Sequence, residues 1–599
     1  MLKRSEVPVE QTWDLTSLFE TEEKYEQQIE KSIQLADAFV ENYKGKLNNA
    51  EIINRALTDY REFREVFGLA AAYMSLNVST DLNDPKNQER QGNFGVIASN
   101  ISSLLSFFES ELIQIDETVL KEAATLDSQH DHYLTELLKD KPHYLHPEAE
   151  KALAAASGVL NFAPNIYNTI KLGDMDFGAF EVNGKEYPLS FVLFENEYDY
   201  DLDHDIRRAA HKKFSEVLSK YSKSTAMNYL NHVRMEKTMA TLRGFDSVLD
   251  YLLDMQDVDR DLYNRQIDVI MEKFAPVARK YVTLLKDIHG LDKMTFMDLK
   301  LVVDPEFEPE ITIEESRDYL LRGLAPLGQD YLDMVNRAYD ERWVDFVQNQ
   351  GKGTGAFCSS PYGTHPYILI SWTSRMREVF VMAHELGHAG HFYNAHQHQN
   401  IFDSRPSMYF IEAPSTMNEL IMATQLFKET NDPRMERWIN STLIARTYYH
   451  NFVTHLLEAH FQRKVYNLVD AGKGFTADTL NKMMKETYQE FWGDAVEITD
   501  EAQYTWMRQI HYYKGLYPYT YSAGLTIATN VRNRIVEEGQ PAIDDWLEVL
   551  RAGGTKTPTE LAAMAKVDIT TDQPLLNTID YLDHVVNEII RLTDQLNKQ

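Results

Sequence analysis

One cysteine, Cys358, is found in 599 residues, so no intramolecular disulfide and no cluster of thiolate metal ligands can form. A chain this poor in thiols suits a reducing compartment, and a cytoplasmic protein is expected. Long apolar runs are missing too. No stretch of about 18 apolar residues occurs, so no membrane partner is expected. Lys3 and Arg4 are not followed by the apolar block of a secretory leader. Cations are in deficit, with 60 Lys plus Arg against 92 Asp plus Glu and a formal net charge of −32. Such a surface repels phosphate backbones and anionic lipid, which argues against nucleic acid as a partner.

Glycine and proline are scarce, 26 and 19 in the whole chain. From Ser17 to Leu138 apolar residues recur at spacings of three and four among Glu, Lys, Gln and Ala, the pattern of amphipathic helices. The first break is Lys141 to Pro147, KPHYLHP, before an Ala-rich helix from Glu148 to Gly158. Two stretches read as strands. Ile170 to Phe194 contains Asn183-Gly184, the chemistry of a two-residue hairpin turn. Gly355 to Trp372 has two short apolar arms around SSPYGTHP, and the glycine-rich Asn349 to Gly355 before it reads as a mobile flap. The expected fold is mainly α, multi-lobed, with a small β-sheet beside the middle of the chain.

Directly after the second strand pair, His384-Glu385-Leu386-Gly387-His388 spells HExxH. Histidines four apart lie one turn apart on one helical face, so both imidazoles can reach a single cation. Glu385 can then address a water at that cation, the arrangement of a catalytic zinc site with an open position. Val379, Phe380, Met382, Ala383 and Leu386 make the helix apolar enough to be buried. A third ligand at the position of the HExxHxxGxxH extension is excluded, because residues 391 and 394 are His and Asn. The remaining candidates are Glu412 and Glu419, on one face if both are helical; one would bind the ion and the other orient a ligand histidine. Spacing does not choose between them. His391 falls behind the ligands or in the core. Further on, Trp506 to Gly524 holds His511 and five tyrosines, Tyr512, Tyr513, Tyr517, Tyr519 and Tyr521, suited to donating hydrogen bonds to an oxyanion. An N-terminal helical lobe over 1–200, ending in the hairpin, and a catalytic domain over 201–599 are expected.

With these motifs in place, the sequence resembles the oligoendopeptidase F group of the thimet-oligopeptidase-like zinc metallopeptidases. The resemblance rests on TWDLTSLF, GKGTGAFCSSPYGTHPYILISW, HELGHAGH, IEAPSTMNE and IHYYKGLYPYTYSAGL, in order from about residue 12 to 525. It implies a helical zincin with a deep substrate cleft and one Zn2+ per chain on His384, His388 and Glu412. Glu385 corresponds to the general base and acid, and His511 and Tyr519 to groups that stabilise the oxyanion. Gly355, Ala356 and Phe357 correspond to a strand that pairs with an extended peptide, with Tyr513 also at the substrate, and Glu419 to the group behind the ligands. The implied activity is hydrolysis of internal bonds in short unstructured oligopeptides. A carboxypeptidase on a similar scaffold and a non-catalytic peptide-binding protein are the alternatives.

Overall fold

Scarce glycine and proline and the three-four periodicity lead to a mainly helical molecule. The computed structural model describes residues 2–353 and 355–598. Near the N-terminus α1 (Glu22–Tyr43) starts at Thr21, whose hydroxyl accepts from the Lys24 N–H. Its neighbour α2 (Ala50–Thr80) starts at Asn49, accepting from the Ile52 N–H; both are good N-caps because they satisfy an orphan donor of the first turn. Residues of this part, among them Phe39, Ile53, Leu57 and Phe108, build one hydrophobic core. A second and larger core runs from Ala163 to Ile589. The stretch Pro85–Gln114 is long and apolar enough, by length and composition alone, for a membrane span. In the fold it is two helices that part at Ser106 and bury Ile101, Phe107, Phe108 and Leu112.

The hairpin forms as its turn chemistry requires. β1 (Ala179–Val182) pairs antiparallel with β2 (Lys185–Pro188), and Asn183 and Gly184 take positive φ of 53° and 76°, the conformation of a type I′ turn. Phe180 of this hairpin packs into the larger core, beside α3 (His204–Leu242). A three-stranded sheet follows, of β3 (Val344–Asp345), β4 (Phe357–Ser359) and β5 (Tyr367–Leu369), in the order β3-β5-β4. The central strand is fully buried, and β4 lies at the edge with one side unpaired.

The glycine-rich stretch before β4 is not a free flap over its described part. Lys352 is buried, donating to the carbonyls of Asp345, Val347 and Ile370 at 2.8–3.0 Å and pairing with the Asp345 carboxylate at 2.7 Å. The Gly353 N–H donates to Ser79 O, and the Leu82 N–H to Gly351 O, so α2 holds the stretch in place. Thr354 lies outside the described residues.

Four further helices position the site: α4 (Met376–His398), α5 (Ala413–Glu429), α6 (His455–Asp470) and α7 (Pro518–Glu538). A π-helical segment, Leu443–Thr454, runs directly into α6; such wide turns recur at functional sites. At the start of α4, Glu378 accepts from the Arg375 N–H at 3.0 Å and the Thr373 hydroxyl at 2.6 Å, fixing where the helix begins.

Candidate active site

Two helical glycines bring the ligand-bearing elements together. Glycine inside a helix costs about 1 kcal/mol against alanine, so its presence calls for a packing reason. A Cβ on Gly387 would sit 2.4 Å from Pro414 O and 2.5 Å from Ser415 Cα, and one on Gly524 would sit 2.9 Å from Ala413 N. Glu412 is therefore clamped between α4 and α7, as the N-cap residue of α5. Gly390 leaves room for Tyr331, whose hydroxyl donates to Leu386 O at 3.0 Å. Asn418 of α5 donates to that hydroxyl and to Ala383 O, both at 3.0 Å, tying α5 to the turn that carries His384.

In this frame Glu412 Oε2 lies 3.5 Å from His384 Nε2 and 3.4 Å from His388 Nε2. A tetrahedral ion with bonds of about 2.0–2.1 Å to N and O holds its ligand atoms about 3.3 Å apart, so the three groups fit a zinc-like cation. His384 Nδ1 lies 2.7 Å from Glu419 Oε1, and the Thr447 hydroxyl donates to the other Glu419 oxygen. With Nδ1–H committed to Glu419, the Nε2 lone pair of His384 is left for a cation. Burial pushes the Glu412 carboxyl up, but His388 and His384 outweigh it and hold it well below the ordinary range. Glu385 is buried, and its Oε2 has no hydrogen-bond partner among the described residues; burial raises its carboxyl above the ordinary value against the pull of both histidines. Three carboxylates around two imidazoles form a negative pocket that a dication would neutralise in part.

These groups open into a cleft of about 1030 Å³. One wall is Ala356 to Pro361, including the free edge of β4; another is Thr447, His450 and Asn451 of the π-helical segment, with Lys514, Tyr517 and Tyr521 beside them. Gly68, Ala72 and Ser75, small residues on one face of α2, close it from the N-terminal part. Neither that face nor His450, Asn451 and Thr447 was singled out in the sequence. The 68/72/75 spacing of small side chains was the available signal for the first; nothing in RTYYHN marks the others. Gly355 is exposed with φ of 85° and lies just outside this lining, whereas Ala356 and Phe357 are in it. Cys358 faces the cleft, but burial pushes its thiol up, which leaves it protonated and unreactive.

Several expected site residues lie elsewhere. Tyr519 is buried, and its hydroxyl donates to Gln256 Oε1 at 2.6 Å, away from the cleft. The reason is register: α7 begins at Pro518, so Tyr517 and Tyr521, four apart, share the cleft face and Tyr519 points to the core. Tyr513 is buried as well, its hydroxyl accepting from Asn228 at 3.3 Å and its ring against His232. His511 sits behind the cleft wall, its ring centroid 5.4 Å from that of Tyr517 and 4.9 Å from that of His455. His391 is fully buried, and among the described residues neither of its nitrogens has a hydrogen-bond partner. Burial lowers its pKa to about 3, so it is a neutral core residue beside Phe410.

Comparison with known proteins agrees with this architecture. The Bacillus subtilis oligopeptidase PepF is 26% identical over 594 residues, covering 98% of this chain and 88% of the relative. A crystal structure of a Chlamydophila abortus protein superposes with a TM-score of 0.85 at 22% identity, covering 99% of this chain and all of the other. The oligoendopeptidase F of Enterococcus faecium superposes at 0.75 with 21% identity, over 95% of this chain and all of the other. The oligopeptidase F model matches residues 111–177. The model of peptidase family M3 matches residues 198–581, almost two-thirds of the sequence, and the chain belongs to that family.

Proposed function

We propose that this chain is a zinc-dependent endopeptidase that cuts internal bonds of short unstructured oligopeptides. The observation that carries the reading is Glu412 Oε2 within 3.5 Å of both imidazole Nε2 atoms, with Glu385 lining the same cleft. His384, His388 and Glu412 would hold one Zn2+ per chain. When bound, zinc supplies Lewis acidity to the scissile carbonyl and to water.

The chain's own groups do the rest. Glu385 removes a proton from the attacking water with its carboxylate and delivers it to the leaving amine; its raised carboxyl brings its basicity closer to neutral pH. Tyr517, pushed up to about 12 mainly by burial, stays neutral; its hydroxyl accepts from Tyr521 at 3.1 Å, which orients the Tyr517 proton as the donor to an oxyanion. The free edge of β4 pairs with an extended peptide. Gly68, Ala72 and Ser75 of α2 bound the cleft opposite α4, which supports a preference for unstructured chains. With a single thiol, a reducing compartment such as the cytoplasm is the proposed site of action.

A second reading, stepwise removal of terminal residues, draws support from Lys300, Arg405, Arg446 and Lys514, four cations in the cleft lining that could receive a terminal carboxylate. A mass-spectrometric product map on unstructured peptides and one folded protein separates the two. Internal cuts with the folded protein untouched are expected; ladders from one end would replace the endopeptidase reading, and no products would remove both.

A further inference from the structure

Behind the cleft wall lies a second cluster of titratable groups that the proposed chemistry does not use. His455 and Glu458 of α6 are almost fully buried, 1% and 2% exposed. His455 Nδ1 is 2.7 Å from Glu458 Oε2, and His455 Nε2 is 3.0 Å from His450 Nε2. His450 is exposed and lines the cleft. The ring of Tyr521 stacks on His455 at 4.0 Å with an interplanar angle of 16°, closing His455 off from the cleft and fixing its plane. The hydrogen-bonded path therefore starts at a buried carboxylate and ends at the substrate space.

A cation site is the first reading to weigh, since His455, Glu458 and His511 bring possible ligand atoms within 4.8 Å of one another. The distances decide against it. Ligand atoms around a tetrahedral ion stand about 3.3 Å apart, as the His384, His388 and Glu412 atoms do, whereas 2.7 and 3.0 Å are hydrogen-bond separations. Both nitrogens of His455 are engaged by protein partners, which leaves it no lone pair for an ion.

Each hydrogen bond in the path has one proton, so the three groups are coupled. With Glu458 ionised, His455 donates from Nδ1 and its Nε2 must accept; His450 then donates from Nε2 and presents a bare Nδ1. With Glu458 protonated, its O–H donates to His455 Nδ1, His455 Nε2–H donates to His450 Nε2, and His450 carries its proton on Nδ1. We propose that Glu458, His455 and His450 form a relay that sets which ring nitrogen of His450 carries the proton, and so whether His450 offers a peptide backbone an acceptor or a donor. One proton taken up moves three: onto His450 Nδ1 from the cleft, from His450 Nε2 to His455 Nε2, and from His455 Nδ1 to Glu458. Both imidazoles are neutral before and after.

The surroundings place this exchange near neutral pH. Burial pushes the Glu458 carboxyl up to about 7, against the opposing pull of His511, Arg508, Lys300 and Gln509. The phenols of Tyr167, Tyr488, Tyr512 and Tyr521 face it from the remaining elements. Among the described residues Glu458 Oε1 makes no close hydrogen bond, and the Gln509 side chain favours the carboxylate form. Burial lowers the pKa of His455 to about 3, which keeps it neutral throughout. Glu458 and His455 are positioning residues; His450 is the group that meets substrate.

The role toward peptide rests on the peptidase reading above, whereas the tautomer exchange does not and is measured without substrate. Zinc-loaded full-length protein carrying 15N-labelled histidine is titrated from about pH 5 to about pH 9, with His450 assigned from the His450→Gln spectrum. The ring nitrogen shifts separate the Nδ1–H, Nε2–H and doubly protonated forms. As pH rises, the Nδ1–H share is expected to fall from about nine-tenths to about a tenth over two pH units centred on the Glu458 midpoint. Glu458→Gln is expected to freeze His450 in one tautomer over the range. A fixed tautomer in the wild type, or direct conversion to the imidazolium, overturns the proposal even if the variant does not fold. So does an unchanged titration in Glu458→Gln, or a second equivalent of zinc that disappears with that variant.

Discussion

Replacing Gly387 with alanine tests whether close approach of α4 and α5 builds the site. The added Cβ would lie 2.4 Å from Pro414 O, 2.5 Å from Ser415 Cα and 2.8 Å from Pro414 C, all backbone atoms that no rotamer change can move. Ordinary contacts begin near 3.5 Å, so the helices must part by about 1 Å. Pro414 is two residues from Glu412, and a shift of that size takes the carboxylate from 3.4–3.5 Å to well beyond reach of an ion shared with both imidazoles. Perturbing a group behind a ligand already weakens metal binding about 10–100-fold, and displacing a ligand itself should exceed about 100-fold. Overpacking should also cost the apo-protein about 1–3 kcal/mol. Zinc affinity is read by competition with a chromophoric chelator, and stability by thermal unfolding of the metal-free protein, so that binding does not contribute to the melt. Gly158→Ala is the control, because its Cβ meets nothing within 4 Å. Zinc affinity in Gly387→Ala within about threefold of wild type, with unchanged apo unfolding, would refute the reasoning.

Three further outcomes follow from the geometry. Glu419→Gln should keep the fold but weaken zinc binding about 10–100-fold, since His384 loses its charged partner at Nδ1; isothermal titration measures this. Tyr517→Phe should lower kcat more than it raises KM, by about 10-fold or more if an oxyanion donor is lost, Tyr521→Phe, which only orients Tyr517, should lower it less, and Tyr519→Phe should change thermal stability and not kcat. Asp199, buried 2.8 Å from His211, would be raised by burial, but His211, Arg508 and Lys300 outweigh that and hold it at about 2, below its ordinary 3.8. A depressed carboxyl contributes stability above its unfolded pKa and loses it as pH falls through the folded one. The advantage of wild type over Asp199→Asn in unfolding should therefore be about 2 kcal/mol above pH 5 and shrink between about pH 4 and pH 2.

The parts of this protein readable from sequence are those set by local periodicity. HExxH was legible because its spacing is itself the geometry, and Asn183-Gly184 because only residues that tolerate positive φ make that turn. The choice between Glu412 and Glu419 was not, because equal spacing treats both as helical. The chain places Glu412 at the N-cap, outside the helix proper, where Gly524 lies against its backbone and Gly387 against that of Pro414 and Ser415 just after it. The tyrosines went astray by one missed boundary: taking Pro518 as the first helical residue puts Tyr517 and Tyr521 on one face and Tyr519 on the other. The supposed flap shows a different limit, since Lys352 is fixed by carbonyls and a carboxylate brought together only by the sheet. His450 and its relay depend on where a π-helical turn meets α6, which no local pattern announces.

The central claim is that Glu385 moves the proton in hydrolysis while His384, His388 and Glu412 hold the ion. Glu385→Gln separates those roles, since the amide keeps the shape and cannot act as base. Zinc stoichiometry and peptide turnover should be measured on the same preparation. The account predicts one zinc per chain, unchanged peptide binding and turnover reduced by at least about 100-fold. Near-normal turnover in a zinc-loaded variant would contradict it.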